Sequence, residues 1–584
     1  MNRAETLALY AKGKTAWNAW AEKMLAERRA MERRGEWLLE EDELGLVEPA
    51  NAPTRSWIEA ATADFSHYDR SHAFDQKVNF FGWIFPHTTW FWSATFRDEA
   101  LFQQATFYGQ VWINKATFLK SASFENAVFL DIAWFQEAVF SDDARFNETE
   151  FSSAQFANTT FSDVARFGKA IFSGTARFTN ATFKGAAFFH ETQFSDFSEF
   201  NDVIFSDGAW FSKTQFSKDA GFERSTFSRA TGFGEARFRR ASFHGATFSA
   251  TTWFDRAEFS DNARFDQATF AGYTSFENVG FHRKADFSGA RSERAFSLAG
   301  AVFEDVPNFV QSHFVEAPRL DNVHLYPRKV ERLRSPPYGG ALLSGQDESA
   351  PARFRALKRL AVLGHDHERE IEFFAGEIKS ARFVTDFPIV LSTWKRAEWP
   401  GVGRWWFGWA YQLVSNFGRS LLRPVALWLV TIMISTTYFL GQNPDVIAAR
   451  ERSVRQHWSL GIVTYTVASW SAWLNSQPCY AGMAASDGRP DARLTGLVEP
   501  VRMQTSAPTE ALQLALRNAF VILDGGNDAS HRTFGCLYGV ERYGDNPIAI
   551  IPSNVSFTSA LQKAVSAVLI FLFGLALRNM LRMK

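Results

Sequence analysis

The stretch that decides the fold is residues 100–118, ALFQQATFYGQVWINKATF, which sits inside a much longer run of the same kind. A large apolar residue recurs in alternating steps of five and six: Phe80, Phe85, Phe91, Phe96, Phe102, Phe107, Ile113, Phe118, Phe124 and Phe129 begin the series. Two residues before nearly every one stands a small side chain, such as Val78, Thr89, Ala94 or Ala100. A period this regular is the mark of a solenoid, in which one supersecondary unit is repeated until neighbouring coils bury one another.

Working outward, the series runs to about Leu325 with two irregular steps, Phe151 to Phe156 and Phe238 to Phe243, each five where six is due. The alternation resumes after both, so the coil has four sides and loses one residue twice. Four steps per turn give roughly 22 residues a coil and about eleven coils, or a rod on the order of 50 Å long at strand spacing. Side chains alternate along an extended segment, so each Phe and the small residue two before it point inward together. A narrow interior takes one large and one small group per side; two large ones clash. The pattern loosens after Phe287, where Ser292, Leu298, Phe303, Phe309, Phe314, Leu320 and Leu325 continue the register.

The runs Phe-Ser-Gly-Thr-Ala-Arg-Phe (172–178) and Phe-Arg-Arg-Ala-Ser-Phe-His-Gly-Ala-Thr-Phe (238–248) resemble pentapeptide-repeat proteins, specifically the Phe-rich variant with five- and six-residue steps. The resemblance implies a right-handed quadrilateral parallel β-helix over 64–334. The resemblance covers about two-fifths of the chain; the arrangement that follows it, from a linker helix through a Trp-rich segment to two apolar runs, also resembles membrane-anchored bacterial members. It implies little about function, because a fold of this kind hosts several.

Helices are expected at both flanks. Met1 to about Arg34 has helical periodicity (Leu7, Leu9, Tyr10, Trp17, Trp20, Met24, Leu25), and so has the piece around 55–63; together residues 1–63 form an N-terminal helical cap, with a loop over 40–51. Residues 335–420 read as a linker, an amphipathic helix over 353–383 that Gly364 breaks into a hairpin, and a Trp-rich juxtamembrane segment (Trp394, Trp399, Trp405, Trp406, Trp409). His365, Glu368 and Glu372 share one face of that helix, and a solvated charged face is the reading, not a metal site. Residues 421–441 (uncharged from Val425) and 556–578 are apolar enough to cross a bilayer, with Lys563 inside the second, and basic residues stand at the start of the first (Arg419, Arg423) and the end of the second (Arg578, Arg582, Lys584). The positive-inside rule then places the β-helix and the tail 579–584 in the cytoplasm and exports 442–555. The expected localisation is a bacterial inner membrane.

The register predicts which rod residues face outward. Trp90, Trp112 and Trp134 form one stripe, and Phe188, Trp210 and Trp253 a second, interrupted by Gly232. Stacked outward Trp make an apolar patch, expected either to be covered by the N-terminal helix with Trp17 and Trp20 or to bind a protein partner or another protomer. A stripe of Thr on the fourth side (Thr95, Thr117, Thr160, Thr182, Thr226, Thr247, Thr269) reads as β-propensity on an outer face. Net charge is −1 with a pI near 6.9, which excludes general attraction to nucleic acid. Between Ala61 and Leu325 stand 24 Lys and Arg against 32 Asp and Glu, and basic residues such as Arg237, Arg239 and Arg240 break up any DNA-like acidic face.

No catalytic motif, metal-ligand spacing or cofactor loop occurs, so a non-enzymatic scaffold or signal-coupling protein is expected. Alternatives are an ion channel or transport component built from oligomerised spans, and, more weakly, a DNA-mimicking topoisomerase inhibitor. Gln562 and Lys563, inside the second span, are the intramembrane polar residues. Both cysteines, Cys479 and Cys536, fall in the exported segment, and a disulfide between them is expected because an oxidising compartment permits it. On a non-reducing gel the protein should migrate faster than its Cys479→Ser variant; identical mobility would mean two free thiols.

Overall fold

A computed structural model of the chain describes residues 1–41, 47–66, 74–326, 349–381, 408–414, 416–417, 420–442, 507–520, 533–534, 537–538, 540–543, 546–549 and 551–582. The chain divides into two units, Met1–Thr385 and Asp386–Lys584.

The first unit is built on a parallel β-solenoid of about 12 turns. Its four faces carry, in order, Phe80, Phe85, Phe91 and Phe96 and their equivalents one coil later. The first and fourth faces are 11-stranded sheets. The second begins at Ile84–Phe85 and ends at His324–Leu325, one coil beyond the eleven expected. Every pairing inside the rod is parallel and joins equivalent residues, as Val111 with Ala133 and Trp112 with Trp134.

The interior is a lattice of rings. Along each column Phe side chains stack face to face: Phe167, Phe189 and Phe211 lie 4.8 and 4.7 Å apart, with planes 1° and 0° from parallel. Between the first and third columns the rings meet edge to face, Phe189 against Phe178 at 5.7 Å and 90°. The stacking distance equals the strand spacing, so hydrogen bonding and ring packing are satisfied by one repeat length. Truncating one such ring costs ~3–5 kcal/mol. On the second face, where Thr replaces the small inward Ala, its hydroxyl donates to a Phe carbonyl of the preceding coil, as Thr149 to Phe124 (2.7 Å) and Thr192 to Phe167 (2.7 Å); on the first face it donates two residues back, as Thr231 to Arg229 O (3.1 Å). These buried Thr hydroxyls are thereby satisfied.

The two short steps have a clear structural cause. At each, the corner between the second and third faces straightens into one continuous strand, Glu150–Gln155 and Arg237–Ser242, and the pairing register slips there: Phe129 opposes Phe151, but Ile132 opposes Ser153. The second slip lies between Phe216–Phe238 and Asp219–Arg240. Near the far end a swap keeps the volume constant. Ser292 takes a ring position and Phe296 a small position, and the Phe296 ring packs 5.5 Å from Phe270 and 5.3 Å from Phe276.

Corners after the first and third faces are four-residue turns closed from the Phe carbonyl, as Ala94 N–H to Phe91 O at 3.0 Å. Their third residue has positive φ: Ser93, Gln104, Lys115, Asn126 and so on at 53° to 60° along the rod, with Gly only at a few. A type II turn requires this geometry, and Gly or Asn adopts it at least cost. In the chain as purified, Glu148→Gly should therefore raise stability by about 1 kcal/mol and Glu148→Val lower it by about as much or more, read from thermal melts; equal melting temperatures would contradict the turn assignment.

Helices close the near end. Residues 1–34 form two helices rather than one, α1 (Arg3–Tyr10) and α2 (Lys14–Arg34), separated at Gly13, whose φ is 82°. α3 spans Ala52–Ala61, and the expected loop contains a short antiparallel pair, Leu39–Glu41 with Val47–Pro49. Trp17 is fully buried at the mouth of the first coil: it packs 5.7 Å from Phe65 and 5.6 Å from Phe85, and its Nε1 donates to Ile84 O at 2.8 Å. Tyr10 adds a ring 5.3 Å from Phe80.

The expected linker hairpin closes the far end. α4 (Ala350–Leu363) and α5 (His367–Ala381) turn at Gly364, and Phe354, Leu357, Leu360 and Phe373 join the same apolar cluster as the rod. The Arg353 guanidinium donates to Val306 O at 3.2 Å. His365 lies in the turn, at φ 53°, so it does not share a helix face with Glu368 and Glu372. Among the described residues no cluster of His, Cys, Asp and Glu could hold a metal ion.

The near cap contains a half-buried histidine whose titration is shifted. His87 meets the Trp57 ring edge-on at 5.5 Å, and its Nδ1 lies 3.1 Å from Thr88 Oγ1. Burial, reinforced by the nearby Arg28 charge, pushes its pKa down to about 4. An imidazole neutral when folded but protonated when unfolded contributes stability that is present above about pH 6.5 and is lost as pH falls toward 4, by up to about 3 kcal/mol. The melting temperature should drop between pH 7 and pH 5, and His87→Gln should shrink that drop; an unchanged drop would remove His87 as its source.

The second unit contains α6 (Leu422–Gly441), α7 (Ala507–Ala519), an antiparallel pair (Val540–Tyr543 with Asn546–Ala549) and α8 (Ser553–Arg582). Ile432, Phe439, Ala511, Leu514, Ala515 and Val555 share one apolar cluster. Of the Trp-rich segment, Trp394, Trp399, Trp405 and Trp406 lie outside the described residues, as do Cys479 and Cys536 and all of 443–506.

Candidate interaction surfaces

The alternation that sends each Phe inward sends its preceding neighbour outward, so the third face displays Trp90, Trp112 and Trp134 in direct register. Their rings stack at 5.1 and 5.0 Å, both 15° from parallel. All three are half-buried, because each covers its neighbour. Trp134 also directs Nε1 toward Gln110 Oε1, 3.4 Å away. Trp17, expected over this stripe, is buried instead at the mouth of the first coil, with Trp20 5.0 Å from it. Beyond Trp134 the same ladder becomes polar, through Gln155, Arg177 and Glu199, with Arg177 Nε 3.2 Å from Glu199.

On the first face Phe188, Trp210, Gly232 and Trp253 occupy successive outward positions. Trp210 and Trp253 close over the glycine at 6.2 Å and 17°. A Cβ at position 232 would lie 2.9 Å from Trp210 Cε3, so glycine is what permits the contact. The two rings line a shallow groove of about 620 Å³ with Lys184, Asp207 and Arg229. The sequence could have revealed this: a Gly between two Trp at coil spacing is a gap the rings fill.

Charge elsewhere is neutralised in pairs across coils. Arg224 makes a two-point contact with Asp202, at 2.8 and 2.7 Å, and Arg240 bridges Asp219 and Asp261 at 2.9 and 3.3 Å. His282 lies between Glu258 (2.9 Å) and Glu304 (2.8 Å), and the Glu304 hydrogen bond leads in raising its pKa above the ordinary imidazole value. The Thr stripe is half-exposed and pairs in register, as Thr160 with Thr182.

In the second unit, Leu422–Gly441 and Ser553–Arg578 are long and apolar enough to cross a membrane. Of the two polar residues singled out on the second helix, Gln562 is the one enclosed: its Nε2 donates to Ala515 O at 2.8 Å and its Oε1 accepts from Asn518 at 3.2 Å. Lys563 is half-buried.

A family model described as pentapeptide repeats (9 copies) matches residues 124–171, 167–215 and 211–257. The middle of the rod is therefore pentapeptide-repeat sequence, in agreement with its four-sided coil. No curated protein and no solved structure matches the chain.

Proposed function

We propose that this pentapeptide-repeat rod is a non-enzymatic protein-interaction scaffold, held at a membrane by the helices of the C-terminal unit. The observation that carries the reading is the pair of Trp stacks, in which large rings sit in direct register on successive coils. Trp and its neighbours at such density are costly to leave in water and favourable in an interface. The stacks are also rigid, since each ring is held by strand register, so little side-chain entropy is lost on binding.

Anchoring is supported by the two apolar helices and by their exposed flanks. Leu422, Leu429, Met433 and Ile434 on α6, and Phe557, Val568 and Phe571 on α8, are more than half exposed, a distribution suited to lipid contact. The membrane in question is the bacterial inner membrane, with the rod cytoplasmic and Cys479 and Cys536 on the exported side. Neither nucleic acid nor cofactor is required.

A photo-crosslinking residue placed at position 112 or 210 in cells should give one discrete adduct each, and the same residue at Thr182 on the Thr face should give none. Equal labelling from all three positions would overturn the assignment of the Trp stripes as the interaction surface.

A further inference from the structure

One corner of the rod is charged without being paired. The turns after the first face send their third residue outward, and on six successive coils that residue is Glu148, Lys169, Glu191, Lys213, Glu235 and Arg256. The signs alternate strictly, and all six residues are exposed. Each backbone N–H donates to the coil that follows, as Glu191 to Ser212 O at 3.0 Å and Lys213 to Gly234 O at 2.9 Å. The ladder is therefore in register at the ~4.8 Å spacing of paired strands. Asn126 and Asn278, at the same turn position, bound it on either side.

Two observations set this ladder apart. None of its six charged groups makes an ion pair or a side-chain hydrogen bond among the described residues. At the equivalent turn position after the third face, charges do pair along the rod, Lys115 with Glu137 at 3.8 Å and Arg224 with Asp202 at 2.7 Å. The second observation is the backbone. Each of the six is held at a φ of 56° to 58°, where Asn or Gly costs less, so a full charge stands on every one of these coils against the local preference.

An alternating ladder of even length is its own complement when reversed. A two-fold axis perpendicular to the rod, midway between Glu191 and Lys213, sets Glu191 against the second copy's Lys213, Lys169 against its Glu235 and Glu148 against its Arg256. Every charge then meets an opposite one. A parallel arrangement in register opposes like with like, and one displaced by a coil is heterologous and does not close. The neighbouring columns accept the antiparallel fit: Gln193 meets Gln215, and Gly168 meets Gly234, which lets the two edges approach. One like-charged pair is created, Glu150 with Glu258, but Glu258 already lies 2.9 Å from His282 Nε2. A shallow groove of about 650 Å³ between the ladder and the Gln193 and Gln215 column gives the opposing side chains room.

We propose that two copies of this chain associate edge to edge and antiparallel along this corner, independently of the Trp stripes. The occupant is a second copy because the complementarity is with the ladder itself: three negative and three positive charges cancel, so neither an acidic nor a basic surface is favoured. Exposed ion pairs are individually weak. Six held on two rigid ladders fix register and orientation, and they make the association sensitive to salt.

The test uses the full chain purified in neutral detergent with two different affinity tags, and reads the capture of one tagged copy by the other. Wild type should capture wild type at about 50 mM salt, and capture should fall by about tenfold or more at about 500 mM. Glu191→Lys and Lys213→Glu should each lose capture of themselves, because each sets like charges opposite one another at both central pairs. A mixture of the two variants should regain it, since the two substituted side chains then meet with opposite sign and the two native ones do likewise. Rescue between chains separates an interface from charge pairing within one ladder, which only the double substitution in a single chain would mend. Absence of wild-type capture, capture indifferent to salt and to both variants, or a mixture that fails to regain it would each overturn the proposal.

Discussion

Everything in the first unit depends on the match between ring stacking and strand spacing. Phe columns repeat at 4.5 to 5.1 Å through the body of the rod, the separation that backbone hydrogen bonds impose on neighbouring strands. Because the two lengths agree, neither interaction is strained to satisfy the other. The cross-section is then fixed: four rings and four small groups per coil. The Ser292 and Phe296 exchange keeps that sum when one column changes, and the straightened corners at 150–155 and 237–242 keep the columns aligned when a residue is missing.

The same constraint explains the ends. A solenoid stops with unpaired strand edges and a ring column open to water. At the near end Trp17 and Tyr10 complete the aromatic lattice; at the far end Phe354, Leu357, Leu360 and Phe373 join the apolar core. The far cap was legible only as an amphipathic hairpin. Its apolar side was plain in Phe354, Leu357, Leu360 and Ile371, but amphipathicity states that a face is covered, not by what. The adjoining Pro- and Gly-rich run at 335–340 made a linker the natural reading.

Function is carried on what the interior does not use. The outward positions are free of packing demands, so their content is informative: mostly charged pairs and Thr, with two interruptions by Trp. Register alone named Trp90, Trp112, Trp134, Trp210 and Trp253, since period-two alternation fixes the side on which each residue emerges. That Trp17 does not lie along the first stripe depended on where it found a larger burial, inside the first coil. In the C-terminal unit, hydropathy identified two helices. The enclosure of Gln562 follows from packing between helices that no single-helix pattern records.

The sequence by itself determined the solenoid, its four faces, the two short steps and the orientation of every rod side chain, because each is a local consequence of a repeat whose neighbours lie at fixed sequence distance. Only the tertiary structure decided what meets the ends of the rod, how Gly232 lets two Trp close, and how α7 is held to α8. Those contacts join residues with no periodic relation, and their geometry is set by competition among surfaces for burial, which a linear pattern does not rank.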